Sequence, residues 1–568
     1  MDRRYYFERN LLALSHNPGL CSRLSGAETT LNRYRFLESR SGEIVPALVD
    51  RTGAAHPLHS MIDPRREGER LVSILKDEGF VVFLGLGGGY GPEAALNHPG
   101  VAHVLVIDYD INGIAELFCS REYIKILGDP RFSLLVDPAP ETLESFILDH
   151  YRPAIAGGIR TLPLRARTEQ DLPRFNAAAD TIQRSIEKVS ADYSVQAHFG
   201  GRWFSNIIRN LRTAEGQGKS MAPVREAAIC AAGPSLDEQI PLLKKHKAEK
   251  TFIISSDTAL PALLHSGLEP DAVVSIDCQH ISYYHFMGCP CRNIPLFLDI
   301  ASPPLLGGLS DSPFFFSGGH PLAVYISRRW RPLPLLDTSG GNVTYACLSL
   351  AENLGAERIT LYGADFSYPQ AKTYARGTYI FPFFGKKQNR LAPLESLFSN
   401  FLYRTPFLPH EETPTAGAAS AVASAVAAAV AAAKSPCYET ASLRFYRKKL
   451  EEKAASMTAE VISAPGLGVP VVITQNRSRN GRMLKIFAPG RPLMSSAEFL
   501  VQYKNAIAAL PNNAADTGIN AGDRQVFTTL LPQAAAFKRR YPELAPGELI
   551  AAVKNHCINE IDRVLGCS

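Results

Sequence analysis

The sequence predicts an α/β protein: two tandem Rossmann-like domains with mostly parallel sheets, plus a mainly helical C-terminal region. Three observations carry this. Short apolar runs alternate with helical segments, the pattern of strands covered by helices on both faces. Two of those runs open into glycine-containing turns, F-V-V-F-L-G-L-G-G-G-Y-G at 80–91 and E-A-A-I-C-A-A-G-P-S-L at 226–236. A chain of 568 residues is also too long for one core. The boundaries read as 1–195, 196–400 and 401–568.

The elements follow in order. Residues 1–60 mix short helical and strand signals. Asp63 and Pro64 have the chemistry of an N-cap and first helical residue, which predicts a helix to about Asp77. The run from Phe80 reads as a buried strand and V-L-V-I-D-Y-D at 104–110 as a second, ending in acids. Strand, glycines, helix, strand and acid open a dinucleotide-type unit, with Gly85, Gly87, Gly89 and Asp108 as its possible cofactor site. No methyl-acceptor motif follows, so a scaffold that keeps its glycine turn is the preferred reading. A polar helical region at about 168–215 bridges to the second opening. Further strands are expected at 251–257, 271–277, 294–300 and 358–365. Beyond 395 the pattern turns helical, with a strand at P-V-V-I-T, 470–474.

Composition sets limits. With 46% hydrophobic and 20% charged residues the chain is ordinary globular protein. A net charge of +5 over this length is too weak to argue for nucleic acid. The Ala-rich run 416–433 approaches bilayer length but lacks large apolar residues, and it reads as a helix closed by Lys434. No membrane segment and no signal peptide are expected. Ten cysteines without disulfide rhythm point to a reducing, cytoplasmic setting. Cys278, His280, His285, Cys289 and Cys291 cluster in sequence, but their spacing matches no zinc module, and we expect no metal.

The candidate site lies in the second domain. Gly233 permits close backbone approach, Pro234 suits a first helical turn, and Ser235 adds a hydroxyl, together the makings of a phosphate cradle. Asp257, Asp277 and Asp365 each follow an apolar strand. In an open parallel sheet such positions converge on one crevice. The stretch 337–368 reads as a Gly-rich loop (Thr338, Ser339, Gly340), a helix, and a strand ending in Gly363, Asp365 and Tyr368.

Residues 226–236 with 339–374 resemble the domain shared by motility accessory factor (Maf) flagellin glycosyltransferases and 6-hydroxymethylpterin pyrophosphokinase (MptE-like) proteins, related to bacterial sialyltransferases. The resemblance is strong in the centre and faint beyond about residue 440. It implies transfer of a nonulosonic acid from a CMP-sugar to Ser or Thr of flagellin, in support of flagellum assembly and motility, with no cofactor beyond the donor. The family's G-N-G-P-S-L turn is A-A-G-P-S-L here, so Ala232 replaces an asparagine. Its T-S-G loop, which touches CMP, corresponds to Thr338, Ser339 and Gly340. Its two strand-end asparagines fall at Asp257 and Asp277, and carboxylates accept but cannot donate. Tyr368 and Tyr374 match the tyrosines that donate to the departing phosphate, whereas many Maf proteins carry histidine at the latter position. The family's general base is a downstream histidine, for which His410 is the match, with Asp365 or Asp277 as alternatives. Two other functions stay open: an ATP–Mg²⁺ pterin diphosphokinase, and a non-catalytic flagellar assembly factor on a decayed transferase fold.

Overall fold

A computed structural model describes residues 3–29, 32–50, 52–217, 219–394, 396–398, 406–408, 437–475, 487–512 and 521–566. The chain divides into two compact units, Met1–Gly201 with Ala506–Ile558, and Arg202–Asn505 with Asn559–Ser568. This differs from a separate third part at 401–568: the C-terminal third is shared between the units. Strand Glu460–Ser463 extends the second unit's sheet by pairing with Arg358–Leu361. Helix Ala521–Arg540 belongs to the first unit, where its Pro532 carbonyl would lie 1.9 Å from a Cβ at Gly200. Only glycine permits that approach.

The first unit is built on a four-stranded parallel sheet. Its order is Phe132–Val136, His103–Asp108, Phe80–Leu84, Ile159–Pro163. Val81, Phe83, Val104 and Val106 enter one core, while Phe80, Val82, Leu84, Leu105 and Ile107 enter the other. Both faces are covered, which is why these strands read as continuous apolar runs. Helix Pro64–Val72 starts as expected, with the Asp63 carboxylate accepting from Arg65 N and Arg66 N. It stops short of Asp77 because the chain must turn into the sheet at Gly79. A Cβ there would sit 2.7 Å from the carbonyls of Ala156 and Gly100. The antiparallel strands Tyr34–Glu38, Ile44–Val49 and Ala55–Pro57 account for the mixed signals of the first sixty residues.

The glycine turn after Leu84 is filled by the protein itself. Gly85, Gly87 and Gly89 adopt positive φ (97°, 51° and 75°). A Cβ at Gly85 would meet the Arg167 side chain, and one at Gly87 would lie 2.6 Å from both His59 Nε2 and Leu164. Gly88 N donates to His59 Nε2 at 2.8 Å. Asp108 is 1% exposed and accepts from Arg167 Nη2 at 2.7 Å, from Arg167 Nε, and from Leu86 N. Its carboxylate is committed to an internal ion pair, so it does not reach a ribose hydroxyl. The cofactor reading of Gly85, Gly87, Gly89 and Asp108 therefore gives way to the scaffold reading.

The second unit is built on a seven-stranded, all-parallel sheet. Its order is Pro313–Phe316, Leu296–Asp299, Ala272–Ser275, Phe252–Ser256, Glu226–Cys230, Arg358–Tyr362, Glu460–Ser463. From Glu226–Cys230 the next four strands proceed to one side and Arg358–Tyr362 begins the other, which makes a topological switch point. The strand expected at 470–474 lies earlier, at 460–463. Residues 471–475 have no regular structure, because Pro470 lacks a donor and Val472 N bonds the Glu451 side chain at 2.9 Å. Tyr368–Pro369, Cys437–Thr440 and Phe407–Leu408 form a small antiparallel sheet. The C-terminal region is helical at Ser496–Ala509, Ala521–Arg540 and Pro546–Gly566. The Ala-rich run 416–433 lies outside the described residues. Among those described, no helix is long and apolar enough to cross a membrane.

Replacing Arg167 with Met leaves Asp108 buried without its counter-charge. The expected cost is about 3–5 kcal/mol, read as a lowered thermal midpoint of the purified chain. Adding Asp108→Asn to that variant recovers part of the loss.

Candidate functional site

Each strand of the second unit delivers its polar residues to the C-terminal edge of the sheet. Asp257 follows Phe252–Ser256 and is 2% exposed. Its Oδ1 accepts from Thr258 N (2.7 Å) and its Oδ2 from Ser275 Oγ (2.7 Å). Asp277, half-buried beyond the adjacent strand, accepts from Gln279 N at 2.9 Å. Burial pushes its carboxyl up, and the neighbouring Asp257 charge adds to this.

A third carboxylate, Asp299, ends the next strand and escaped the sequence reading. It is 7% exposed and accepts from Ala301 N at 2.8 Å, and burial pushes it to about 6. The signal was present: L-F-L-D repeats the apolar-run-then-Asp pattern of the other two. Extending the expected strand to Ile300 hid it.

The long helix Leu172–Glu215 secures two of these strand ends. Asn206 Nδ2 donates to Cys278 O (3.0 Å) and Ala301 O (2.8 Å). Asn210 Nδ2, one turn on, donates to Ile300 O and Ser302 O (both 2.8 Å). The i, i+4 spacing stacks both amides on one helix face. Each then clips a loop that carries an acid.

At the switch point the outcome differs from expectation. Gly233 N donates to Gly363 O at 2.9 Å, and a Cβ on Gly233 would lie 2.3 Å from Asp365 Oδ2. Asp365 is 5% exposed and accepts from Ser235 N (2.8 Å), Gly468 N (3.1 Å) and the Ser235 hydroxyl. Ser235 Oγ in turn accepts from Leu467 N at 2.6 Å. The Ser235 hydroxyl expected to meet a phosphate is therefore spent on the fold, and Asp365 is sealed rather than available as a base. Pro234 sits just before the helix Leu236–Ala248 rather than in its first turn.

The loop 337–342 reaches the same edge. It enters helix Val343–Asn353, capped by Asn342 accepting from Tyr345 N at 3.0 Å. Thr338 Oγ1 donates to Gly318 O at 3.3 Å. A Cβ on Gly318 would lie 2.2 Å from Asp299 Oδ2 and 2.9 Å from Thr338 Oγ1, which brings this loop against Asp299. Ser339 Oγ lies 3.4 Å from Tyr345 OH, and a Cβ on Gly340 would strike the Tyr345 ring. Burial opposes ionisation of Asp337. Hydrogen bonds from Ser339 and Tyr345, with Lys453 nearby, nevertheless hold it down at about 2.

Tyr374 lies within electrostatic range of Asp257, Tyr379 and Tyr368, and burial pushes its hydroxyl up. Burial also raises Tyr368. Tyr379, unmarked in the sequence, places its ring 6.5 Å from that of Tyr374 and 4.5 Å from that of His285. The edge thus unites Asp257, Asp277, Asp299, Tyr374 and Tyr379. Gly233, Ser235 and Asp365 form an internal clasp beside it. His410 lies outside the described residues. Among the described residues no three His, Cys, Asp or Glu side chains are placed to hold a metal. Acceptors and phenolic donors gathered on one edge suit a hydroxyl-rich ligand carrying a phosphate.

Comparison with known proteins bears on the fold. Residues 202–371 match the family model of 6-hydroxymethylpterin diphosphokinase MptE-like proteins. That match falls on the core of the second unit. Across 99% of this chain and 95% of the other, the structure is similar to that of the Maf glycosyltransferase from Magnetospirillum magneticum AMB-1, with a TM-score of 0.55 and 14% identity. The two proteins share a fold. Two uncharacterized proteins of Treponema pallidum (strain Nichols) are 40% identical over 137 residues and 38% identical over 116 residues, covering 24% and 20% of this chain. These matches span 45% and 55% of the relatives' own lengths.

Asp299 gives a pH test. Its folded value of about 6 lies above the ordinary aspartate value, so the folded state holds the extra proton. Its contribution is present in full below pH 4 and is lost as pH rises to 6, at most about 3 kcal/mol. Asp299→Asn cannot titrate. Its urea-unfolding free energy relative to the parent is expected to grow between pH 4 and 6 and then level off.

Proposed function

We propose that this protein is a cytoplasmic glycosyltransferase that moves a nonulosonic, sialic-like acid from a CMP-activated donor to serine or threonine of flagellin, in support of flagellum assembly and motility. The observation that carries the reading is the C-terminal edge of the second unit's sheet, where Thr338 lies against Asp299 and Tyr374 lies within electrostatic range of Asp257. The fold shared with a Maf glycosyltransferase supports it.

The chemistry follows from the groups present. Cleaving the donor separates a phosphate from a tertiary anomeric carbon, through an oxocarbenium-like state in which negative charge grows on the phosphate. Fixed hydroxyl donors stabilise that charge as it forms. Tyr374, Tyr368 and Ser339 take this role, and Ser235 does not. Asp277, half-buried, accepts from a hydroxyl of the donor. In this reading the reaction needs no cofactor beyond the CMP-sugar.

Carboxylates at three successive strand ends favour one competing reading, diphosphate transfer with ATP and Mg²⁺. Thermal shift separates the two. CMP at one hundred times its Kd is expected to stabilise the chain by about 2.7 kcal/mol. A shift with ATP–Mg²⁺ and none with CMP transfers the assignment to diphosphokinase chemistry, and a shift with neither leaves a non-catalytic assembly factor.

Tyr374→Phe removes one donor to the leaving phosphate. We expect transfer to flagellin to fall about 10²–10³-fold, with the CMP-induced thermal shift retained.

A further inference from the structure

We propose that the first unit holds a small-molecule site of its own, for a nucleoside monophosphate, at the end of its sheet opposite the glycine turn. A cavity of about 660 Å³ opens there, a volume in the range of small-molecule sites. Phe80, His103 and Phe132, which begin three of the four strands, line it. Gly85, Gly87 and Gly89 follow the other end of the first of these strands, and Asp108 ends the second. The cavity is therefore separate from the turn that Arg167, Leu164 and His59 fill.

Part of its wall is a cluster of rings. His103 stacks on Phe80, with centroids 5.0 Å apart and 19° between planes, and His150 stacks on Phe146 at 4.0 Å and 11°. The two pairs meet: the His103 ring lies 5.7 Å from that of His150 and 5.9 Å from that of Phe146. All four residues line the cavity. Flat rings in this arrangement form a surface that a planar base extends by stacking.

Polar groups accompany the rings. His103 is 8% exposed, and its Nε2 is buried without a hydrogen-bond partner. Burial pushes its ring down to about 3, so it is neutral. An unmet buried nitrogen costs stability unless something uses it, and a base seated against the rings supplies that partner. His150 Nδ1 donates to the Phe146 carbonyl at 2.9 Å, so in the neutral ring Nε2 is an acceptor. The charged residues of the lining are Arg152, Arg524 and Asp129. Asp129 is engaged by Arg131, whose Nε and Nη2 donate at 3.1 and 2.8 Å. Two guanidinium groups against one neutralised acid suit the phosphate.

The test is isothermal titration of the full-length chain with AMP, GMP, CMP and UMP. The corresponding nucleosides, which lack the phosphate, and ribose 5-phosphate, which lacks the base, are titrated in parallel. At least one nucleotide is expected to bind, about tenfold or more tighter than either of its fragments. His103→Phe, which keeps the ring and removes the nitrogens, and Arg524→Glu, at an exposed position, are each expected to weaken it about tenfold. His103→Phe is also expected to raise the thermal midpoint of the ligand-free chain, because an apolar ring of similar shape replaces an unmet polar one. Asp277→Asn, in the second unit, is expected to leave this binding unchanged. The proposal falls if no nucleotide binds, or if ribose 5-phosphate or the nucleoside binds as tightly as the nucleotide. It falls equally if both first-unit variants bind like the parent, or if binding follows Asp277 instead of His103 and Arg524.

Discussion

The Asp365 carboxylate is the interaction on which the second unit depends. It accepts from Ser235 N, the Ser235 hydroxyl and Gly468 N, and so ties together three segments that follow three adjacent strands. The Gly233–Gly363 contact beneath it leaves no room for a side chain. Burial raises the carboxyl against the hydrogen bonds that favour its charge. An acceptor this enclosed is stable only because every donor pointed at it comes from the fold itself. At the switch point the usual ligand crevice of a doubly wound sheet is thereby filled by protein, and the half-buried Asp277 lies on a strand further along the sheet.

Burial sets the electrostatics of the edge. It favours protonation of Asp277 and Asp299, and at Asp277 the neighbouring Asp257 charge adds to it. Each is managed locally: Asp257 by Thr258 and Ser275, Asp277 by Gln279, and Asp299 by Ala301 with the Gly318 backbone. Asn206 and Asn210 hold the loops in register, so the acids cannot relax apart. Tyrosine hydroxyls with raised affinity for their protons remain donors across the accessible pH range. Fixed acceptors beside fixed donors are the kind of preorganisation that the proposed transfer would require.

What the sequence disclosed follows period and punctuation. Parallel strands buried on both faces announced themselves as apolar runs, and the acids Asp257 and Asp277 were visible because each ends such a run. Edge elements were harder. Pro313–Phe316 and Glu460–Ser463 are short, and 470–474 has strand composition but is diverted by Pro470 and Glu451. The direction of a side chain was not legible at all. Ser235 and Ser339 look equivalent in a linear motif, yet one is locked to Asp365 and the other lies at the open edge. Tyr379 and His285 carry no spacing signature, because they meet only after the chain has crossed between distant loops.

The two glycine turns show why a motif alone does not make a site. Each follows a buried parallel strand, and each has an acid at a nearby strand end. In the first unit Arg167 and His59 occupy the space a cofactor would need, and Asp108 is neutralised within the fold. In the second, Ser235 and Asp365 consume one another. Glycine in both places answers a packing demand, the absence of room for a Cβ, before it answers any ligand. Function in this fold rests on the groups left over once such internal demands are met: the half-buried Asp277 and phenols still able to donate.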